Sequence, residues 1–214
     1  MMDFTVASFN AHWGFGKFGR LRGTRFAVDE LAADGYHVDH VHLMRLAMRK
    51  DRAGLKDVAP REGGWEISIC TRFPILDRRE YVIGDIKADP VGKRLALALT
   101  LDVSGRPIQV IGLHTSSRVH LLAPVRHLLG LKKQLDDDKP QVLAGDFNFW
   151  GPPIGMLMPG WQRPVRGRTY PAHRPHSQID HILVRNGIEA LSGEVLPPTP
   201  SDHRPVRARL RLVR

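Results

Sequence analysis

The stretch Ser201-Asp202-His203-Arg204-Pro205-Val206 lies close to the end of a chain of 214 residues. It places an acidic residue directly before a histidine, between a small residue and a proline that restricts the backbone. A histidine can act as a general base near neutral pH, and a rigid backbone fixes the direction of its ring. The stretch therefore indicates a general base that activates water.

Polar residues close three apolar runs that precede this stretch, and a fourth run carries an acid inside it. The four segments are residues 7–10, 113–116, 143–148 and 178–184. Polar and acidic side chains at strand ends point into the crevice of a layered α/β fold, where ligands bind. We therefore expect these segments to meet at one site.

In this order the segments resemble the endonuclease/exonuclease/phosphatase superfamily, the fold of deoxyribonuclease I and of the abasic-site repair nucleases. Gly145-Asp146-Phe147-Asn148 alone is a moderately specific sign. It becomes much more specific beside Ile179-Asp180-His181-Ile182-Leu183-Val184 and the terminal stretch. The resemblance spans residues 4–206. It implies an α/β (α+β) fold with a four-layer sandwich of two packed mixed β-sheets flanked by helices, in a single domain over residues 1–214.

The resemblance also implies a metal-dependent hydrolysis of a phosphodiester. It gives His203 the role of general base and Asp180 the role of orienting that histidine. It implies that Asp146 and Asn148 position the attacking water and hold the phosphate. His114 matches a position that contacts the phosphate or assists departure of the leaving group.

Asn10 and Asp202 match positions at or near the metal, which is expected to be Mg²⁺ or Mn²⁺. The family's second strand, an apolar run that ends in Gln-Glu and supplies the main magnesium ligand, has no counterpart between Asn10 and Glu66. Three explanations stay open: residues missing from the sequence, a genuine deletion, or replacement of that glutamate by Glu30. A site with one carboxylate fewer binds a divalent cation weakly.

The formal net charge of +10 favours a polyanionic partner. Basic residues cluster at 45–52, 163–168 and 204–214. A nuclease that acts on DNA or RNA is therefore the favoured function. The alternatives are a phosphatase or phosphodiesterase acting on a lipid or small metabolite, and a catalytically silent relative that binds nucleic acid.

Two further motifs can be interpreted either as binding sites or as ordinary structural segments. His37, His40 and His42 are types that bind zinc, but strand alternation places His40 and His42 on one face and His37 on the other, which favours a solvated strand. The loop before Ile179 contains His173 and Arg174. These two residues are either phosphate contacts or part of a basic loop.

Composition indicates an ordinary soluble globular protein, with 42% hydrophobic and 25% charged residues. No apolar run approaches the roughly 18 residues that span a bilayer. The first residues carry no visible export signal, and the single cysteine, Cys70, excludes an internal disulfide and is expected to be buried and inert. These features predict a cytoplasmic protein, and we expect a monomer.

Hydrophobic patterning predicts most of the regular elements. A hairpin is expected from residues 94–103 and 107–113, turned at Ser104-Gly105. Helices are expected at 25–33, with Thr24 as N-cap, and at 121–135. Further strands are expected at 4–9, 36–44, 66–71, 81–86, 141–144, 179–184 and 206–212.

Overall fold

The fold was analysed in a computed structural model that describes residues 1–11, 31–46, 63–86, 89, 91–116 and 122–213. Its helices are α1 (Ala123–Lys132) and α2 (Gly151–Leu157). Its strands are β1 (Met2–Ser8), β2 (His37–Leu46), β3 (Gly63–Thr71), β4 (Ile75–Asp85), β5 (Lys93–Asp102), β6 (Pro107–His114), β7 (Gln141–Asp146), β8 (Asp180–Arg185), β9 (Ile188–Val195) and β10 (Val206–Leu212).

Five strands form one mixed sheet in the order β4-β5-β6-β7-β8. β6 and β7 run parallel, and α1 lies in the connection between them, because a parallel pair needs a crossover. The other neighbours are antiparallel. The predicted hairpin of β5 and β6 is confirmed, and its turn holds Ser104 and Gly105 at φ of 56° and 79°. The parallel step brings the carboxyl ends of β6 and β7 to the same edge of the sheet.

The layer opposite the mixed sheet is divided. β1, β10 and β9 form an antiparallel sheet, and β2 and β3 form a separate antiparallel pair. The expected sandwich is confirmed, but within the described ranges the two strand directions are mixed in the five-stranded sheet alone. In the same ranges β1 is hydrogen-bonded to β10 alone and β3 to β2 alone, so one edge of each strand has no partner strand.

Two apolar cores lie on the two faces of the mixed sheet. Successive strand residues point to opposite faces, so Leu97 and Ala98 enter different cores. The first core lies between the mixed sheet and the strands β1, β2, β3 and β10. The second lies beneath the helices and includes Leu128 of α1 and Ile154 of α2. Burial of each large aliphatic side chain stabilises the fold by about 1.5–3 kcal/mol.

Two elements were absent from the sequence prediction. β9 follows β8 after a turn with Asn186 and Gly187 at positive φ, and α2 starts with Gly151 and two prolines, which have poor helix propensity. The helix expected at 121–135 is present as α1 and has a proline in its first turn. Most of the helix expected at 25–33, with its cap, lies outside the described residues. Among the described helices, none is long and apolar enough to cross a lipid bilayer.

Candidate active site

Strand ends of both layers bring the predicted residues together. β6 ends at His114 and β7 at Asp146, and these residues are paired in parallel register. β8 starts at Asp180, which pairs with Asp146 across an antiparallel step. From the opposite layer, Asn10 follows β1 and His203 precedes β10. The site thus lies where the two layers meet.

His203 and Asp180 form a buried pair, with side chains 8% and 2% exposed. The Nδ1 of His203 lies 2.9 Å from Oδ2 and 3.1 Å from Oδ1 of Asp180. Ser201 holds this histidine, since its Oγ accepts a hydrogen bond from the His203 backbone N–H at 3.1 Å and donates one to the carbonyl of Asn10 at 2.7 Å. Because a carboxylate accepts at Nδ1, that nitrogen carries the hydrogen, and Nε2 is the ring nitrogen that accepts a proton. This is the arrangement of a general base and the acid that orients it.

Asp146 lies at the centre of the site. Its Oδ2 accepts a hydrogen bond from Nδ2 of Asn10, and its Oδ1 accepts one from the backbone N–H of Asn148, each at 2.8 Å. The Nε2 atoms of His114 and His203 lie 3.5 Å and 3.7 Å from Oδ2. One carboxylate therefore contacts or adjoins most of the residues that the sequence singled out.

The backbone around Asp146 is held by close contacts. Gly145 has a φ of 147°, and a Cβ there would collide with the carbonyl oxygen of Leu113. Asn148 adopts a φ of 44° and donates from Nδ2 to the carbonyl of Thr115 at 3.1 Å. The Oγ1 of Thr115 in turn donates to the carbonyl of Phe147 at 2.6 Å. These contacts explain why a glycine precedes the acid and a residue tolerant of positive φ follows it.

The carboxylates dominate the electrostatics of the site. Burial acts to lower the pKa of His203, but the hydrogen bond and charge of Asp180, with the charges of Asp146 and Asp202, outweigh it and raise the pKa to about 9. Burial and the charge of Asp180 raise the pKa of Asp146 to about 7. The site thus holds more negative charge than its protein groups balance, and a divalent cation would relieve it.

A buried ion pair holds the strand end that carries His114. Arg94 and Asp89 form two hydrogen bonds, at 2.7 Å and 3.0 Å, and their side chains are 2% and 0% exposed. The Nη1 of Arg94 donates to the carbonyl of His114 at 3.1 Å. Burial, with the positive charges of Arg94 and His203, lowers the pKa of His114 to about 3. His114 is therefore neutral near neutral pH. Arg94 was not singled out from the sequence, where it lies inside a strand pattern without a motif.

The donor set fits a divalent cation. Among the described residues, Asp146, Asp180 and His203 form a group whose ligand atoms lie within 4.8 Å of one another. Asp180 is engaged with His203, so Asp146, Asn10 and Asp202 are the residues that would hold the cation. Oδ1 of Asp202 lies 3.9 Å from Nε2 of His203. Carboxylate and amide oxygens are the ligands that Mg²⁺ and Mn²⁺ prefer.

A cleft of about 1370 Å³ opens at this site. Successive residues of β1 and of β3 line it, which shows that the edges of these strands, rather than their faces, border the cleft. Among the described strands, the division of the layer is therefore a gap between β1 and β3 that reaches Asn10 and Asp146. The glutamate segment absent from the sequence is expected between Asn10 and Glu66. Glu30, its possible substitute, lies outside the described residues.

The side chains that the loop before β8 presents to the cleft differ from the two that the sequence predicted. His173 and Arg174 are exposed and do not belong to the described residues that line the cleft, and their contact with phosphate stays a prediction. Tyr170 and His176 do line it. The ring of Tyr170 lies 4.9 Å from that of His203 and 6.3 Å from that of His176. The cis peptide bond before Pro171, which no sequence signal predicted, lies next to this tyrosine.

The histidines of β2 are arranged as strand alternation predicted. The rings of His40 and His42 lie 4.9 Å apart, and Nδ1 of His42 lies 3.7 Å from Glu66. Within the described ranges, the group with metal-binding spacing does not include them. Cys70 is partly rather than fully buried and lines the cleft, and burial raises the pKa of its thiol, which makes it a weak nucleophile.

Aromatic side chains form part of the cleft wall. Phe9, Phe149 and Trp150 line it, and Trp150 is 55% exposed. The rings of Phe149 and Trp150 lie 6.2 Å apart. The two residues directly follow the Gly-Asp-Phe-Asn segment, so their position next to Asn148 was a signal in the sequence that motif analysis passed over.

Comparisons with known proteins agree with this geometry. Residues 11–203 match the model of the Endonuclease/Exonuclease/phosphatase family. YbhP of Escherichia coli K12 is 27% identical over 251 aligned positions, which cover 98% of this chain and 97% of that protein. The alignment is longer than this chain of 214 residues, so the relative carries additional residues within it.

Two solved structures share the fold. An endonuclease/exonuclease/phosphatase of Beutenbergia cavernae has a TM-score of 0.76 at 20% identity, over 99% of this chain and 72% of that one. The mannosyl-6-phosphatase Bt3783 of Bacteroides thetaiotaomicron has a TM-score of 0.66 at 17% identity, over 86% and 82% of the two chains.

Proposed function

This chain belongs to the endonuclease/exonuclease/phosphatase family, whose members hydrolyse phosphoester bonds, and on that premise we propose that it is a metal-dependent phosphodiester hydrolase. The observation that carries the proposal is the buried pair of Asp180 and His203, joined at 2.9 Å beside Asp146. Such a pair supplies a general base whose second nitrogen is directed to a reacting water.

In the proposed reaction, a water proton passes to Nε2 of His203 while the water oxygen bonds to phosphorus and the bond to the leaving oxygen breaks. Asp180 stabilises the imidazolium that forms, and the proton then passes to the leaving oxygen or to solvent. A Mg²⁺ or Mn²⁺ ion would neutralise charge on the phosphoryl oxygens. Positive charge near Asp146 and Asp202 also offsets the carboxylates that raise the pKa of His203, and so favours the neutral base.

Asn148 and His114 are proposed to hold the phosphate. Because the pKa of His114 is about 3, its ring is neutral and offers one N–H donor, which suits a phosphate contact better than delivery of a proton to the leaving group. Asn10 is held by Asp146 at 2.8 Å, which fixes its amide next to the proposed cation. These roles rest on position and hydrogen bonding.

The favoured substrate is nucleic acid, DNA or RNA. The net charge of +10 attracts a polyanion, and the aromatic wall of Phe9, Phe149 and Trp150 offers rings on which bases stack. Base stacking on aromatic side chains contributes about 1–3 kcal/mol per base and tolerates any sequence. A cytoplasmic, monomeric protein is proposed with it, supported by the lone cysteine and the ordinary globular composition.

A phosphatase or phosphodiesterase acting on a phosphorylated sugar, lipid or small metabolite is the second candidate. The observation in its favour is the shared fold with a protein described as a mannosyl-6-phosphatase. A silent nucleic-acid-binding relative is the third, and the gap between β1 and β3 at the metal side of the site favours it.

A substrate panel tests these candidates. Purified protein with Mn²⁺ at about 1 mM, the weak end of the affinity range of cation sites, is incubated with single-stranded DNA, plasmid DNA, mannose 6-phosphate and bis-p-nitrophenyl phosphate. We expect cleavage of DNA and of the diester to exceed hydrolysis of the monoester, with His203→Ala as the background. Dominant hydrolysis of the monoester would replace the nuclease proposal by the phosphatase, and DNA binding without any turnover would replace it by the silent relative.

A further inference from the structure

A second pocket, of about 510 Å³, lies between α2 and the segment that follows this helix. Among the described residues that line the two cavities, none is shared with the catalytic cleft. The helix contributes Gly151 and Ile154, and the segment after it contributes Met158, Trp161, Gln162, Arg163 and Arg166. The pocket is therefore separate from the site described above.

Two arginines of this pocket have no acidic partner among the described residues. Within the described part of the chain, neither Arg163 nor Arg166 forms an ion pair, in contrast to Arg185, Arg207 and Arg211, which bind carboxylates. Burial and the positive charge of Arg166 both lower the pKa of Arg163. Two guanidinium groups that repel each other without a counter-charge form a site that an anion stabilises.

Hydrogen-bond donors are also left over at this pocket. Nη1 of Arg163 and Nε1 of Trp161 are buried, and in the described residues neither has an acceptor. The guanidinium of Arg163 packs so closely on Gly151 that a Cβ there would collide with Nη1. Buried donors without acceptors are costly, and a ligand that supplies acceptor oxygens would remove that cost.

We propose that this pocket binds a phosphate group through Arg163 and Arg166. A phosphate offers the negative charge and the several acceptor oxygens that a pair of guanidinium groups and unpaired donors require, and arginine forks match its geometry. The choice of phosphate over a carboxylate rests on the proposed function, whereas the anion site itself does not.

The position of the pocket indicates where that phosphate comes from. Trp150 lines the catalytic cleft, and the next residue, Gly151, lines this pocket. A polynucleotide held at the catalytic centre would pass Trp150 and place another of its phosphates at Arg163 and Arg166. The pocket is thus a subsite that favours a polymer with repeated phosphates over a substrate with one.

Calorimetric titration with inorganic phosphate in EDTA tests the site without any turnover. Wild-type protein should bind phosphate, and Arg166→Ala and Arg163→Gln should each weaken the binding about tenfold or more. Arg79→Ala is the matched control, because Arg79 lies on β4, at the opposite edge of the mixed sheet from β8, and pairs with Asp77. Binding that is absent in the wild type, or equal in wild type and both variants, would overturn the proposal.

A second titration, with a single-stranded oligonucleotide, identifies the source of the phosphate. If a backbone phosphate occupies the pocket, Arg166→Ala weakens oligonucleotide binding. It also lowers the slope of log affinity against log salt concentration by about one, because one phosphate contact fewer releases one counterion fewer. If the variants no longer bind inorganic phosphate but bind the oligonucleotide as wild type does, the site binds a small phosphorylated ligand. Its role as a polymer subsite is then overturned. Since both titrations measure binding, an inactive but binding-competent protein would contradict the proposed function and leave the site standing.

Discussion

The two layers of the sandwich differ in continuity, and the active site spans both. Among the described strands, the mixed sheet is continuous from β4 to β8, whereas the opposite layer is divided between β1 and β3. Asp180 of the mixed sheet and His203 beside β10 form a hydrogen-bonded pair, an acid and the proposed general base. The cation-binding side of the site borders the gap. The residues proposed for proton transfer therefore lie in contact, whereas among the described residues the cation side has no counterpart of the glutamate in the pattern that the sequence resembles.

The largest expected effect comes from the hydrogen-bonded pair of Asp180 and His203. Asp180→Asn removes the charge that stabilises the His203 imidazolium, so we expect kcat for bis-p-nitrophenyl phosphate to fall about 10²–10⁴-fold at saturating Mn²⁺. Asp136→Asn, an exposed acid after α1, is the control and should act like wild type. A loss of less than tenfold for Asp180→Asn would mean that the pair does not act as proposed.

The next largest effect concerns the cation side of the site and is expected in the Mg²⁺ concentration that activity requires. Because the described residues supply one carboxylate fewer than that pattern, half-maximal activity is expected at a Mg²⁺ concentration on the order of a millimolar, and Asp202→Asn should raise that concentration further. Activity measured against free Mg²⁺ gives both values. Saturation at micromolar Mg²⁺ would show that another ligand completes the site and would remove the contrast between the two halves.

Packing should differ between the layers as well. Leu99 is fully buried in the mixed sheet, and Leu99→Ala should lower the free energy of unfolding by about 2–5 kcal/mol. Ile67 on β3 borders the cleft, so Ile67→Ala enlarges an existing space and should cost less. Urea denaturation measures both values. Equal losses would indicate that the gap beside β3 is filled.

The smallest effect concerns a histidine that supports the loop after β6. Nδ1 of His127 accepts a hydrogen bond from the backbone N–H of Ser116 at 3.3 Å, and burial lowers its pKa to about 4. The unfolded chain therefore gains the proton first as pH falls from 6.5 to 4, and the stability that the neutral ring contributes is lost over this range.

A substitution isolates that contribution. His127→Gln keeps an acceptor for Ser116 but does not titrate, so its denaturation midpoint should fall less steeply than that of wild type between pH 6.5 and 4. His37→Gln on β2 serves as the exposed control. Parallel curves for wild type and His127→Gln would mean that His127 is accessible to protons in the folded protein.

The sequence predicted the site better than it predicted the surroundings of the site. Asp146 ends one apolar strand run and Asp180 begins the next, so strand pairing alone places them at one edge of the mixed sheet, and His203 precedes the strand run of β10 in the opposite layer. Most strands were predicted for the same reason, whereas the fold class followed from the resemblance of the ordered motifs to a known family. Local patterns of alternation carry that information.

Long-range contacts carry what the sequence could not show. Arg94 reaches the His114 carbonyl because β5 and β6 lie together, and no motif around Asp89, five residues before Arg94, predicts their buried ion pair. Tyr170 meets His203 through a turn with a cis proline, which leaves no periodic signal. The pocket of Arg163 depends on α2, a short helix rich in glycine and proline that propensity disfavours.

The most direct measurement is the turnover of bis-p-nitrophenyl phosphate by wild type and His203→Ala, with Mg²⁺, Mn²⁺ or EDTA. His42→Ala on β2 is the matched control, and circular dichroism shows that each variant is folded. The account predicts metal-dependent turnover in wild type and His42→Ala, abolished by EDTA and reduced about 10²–10⁴-fold in His203→Ala. Equal turnover in His203→Ala, or none in folded wild type with any metal, would contradict it.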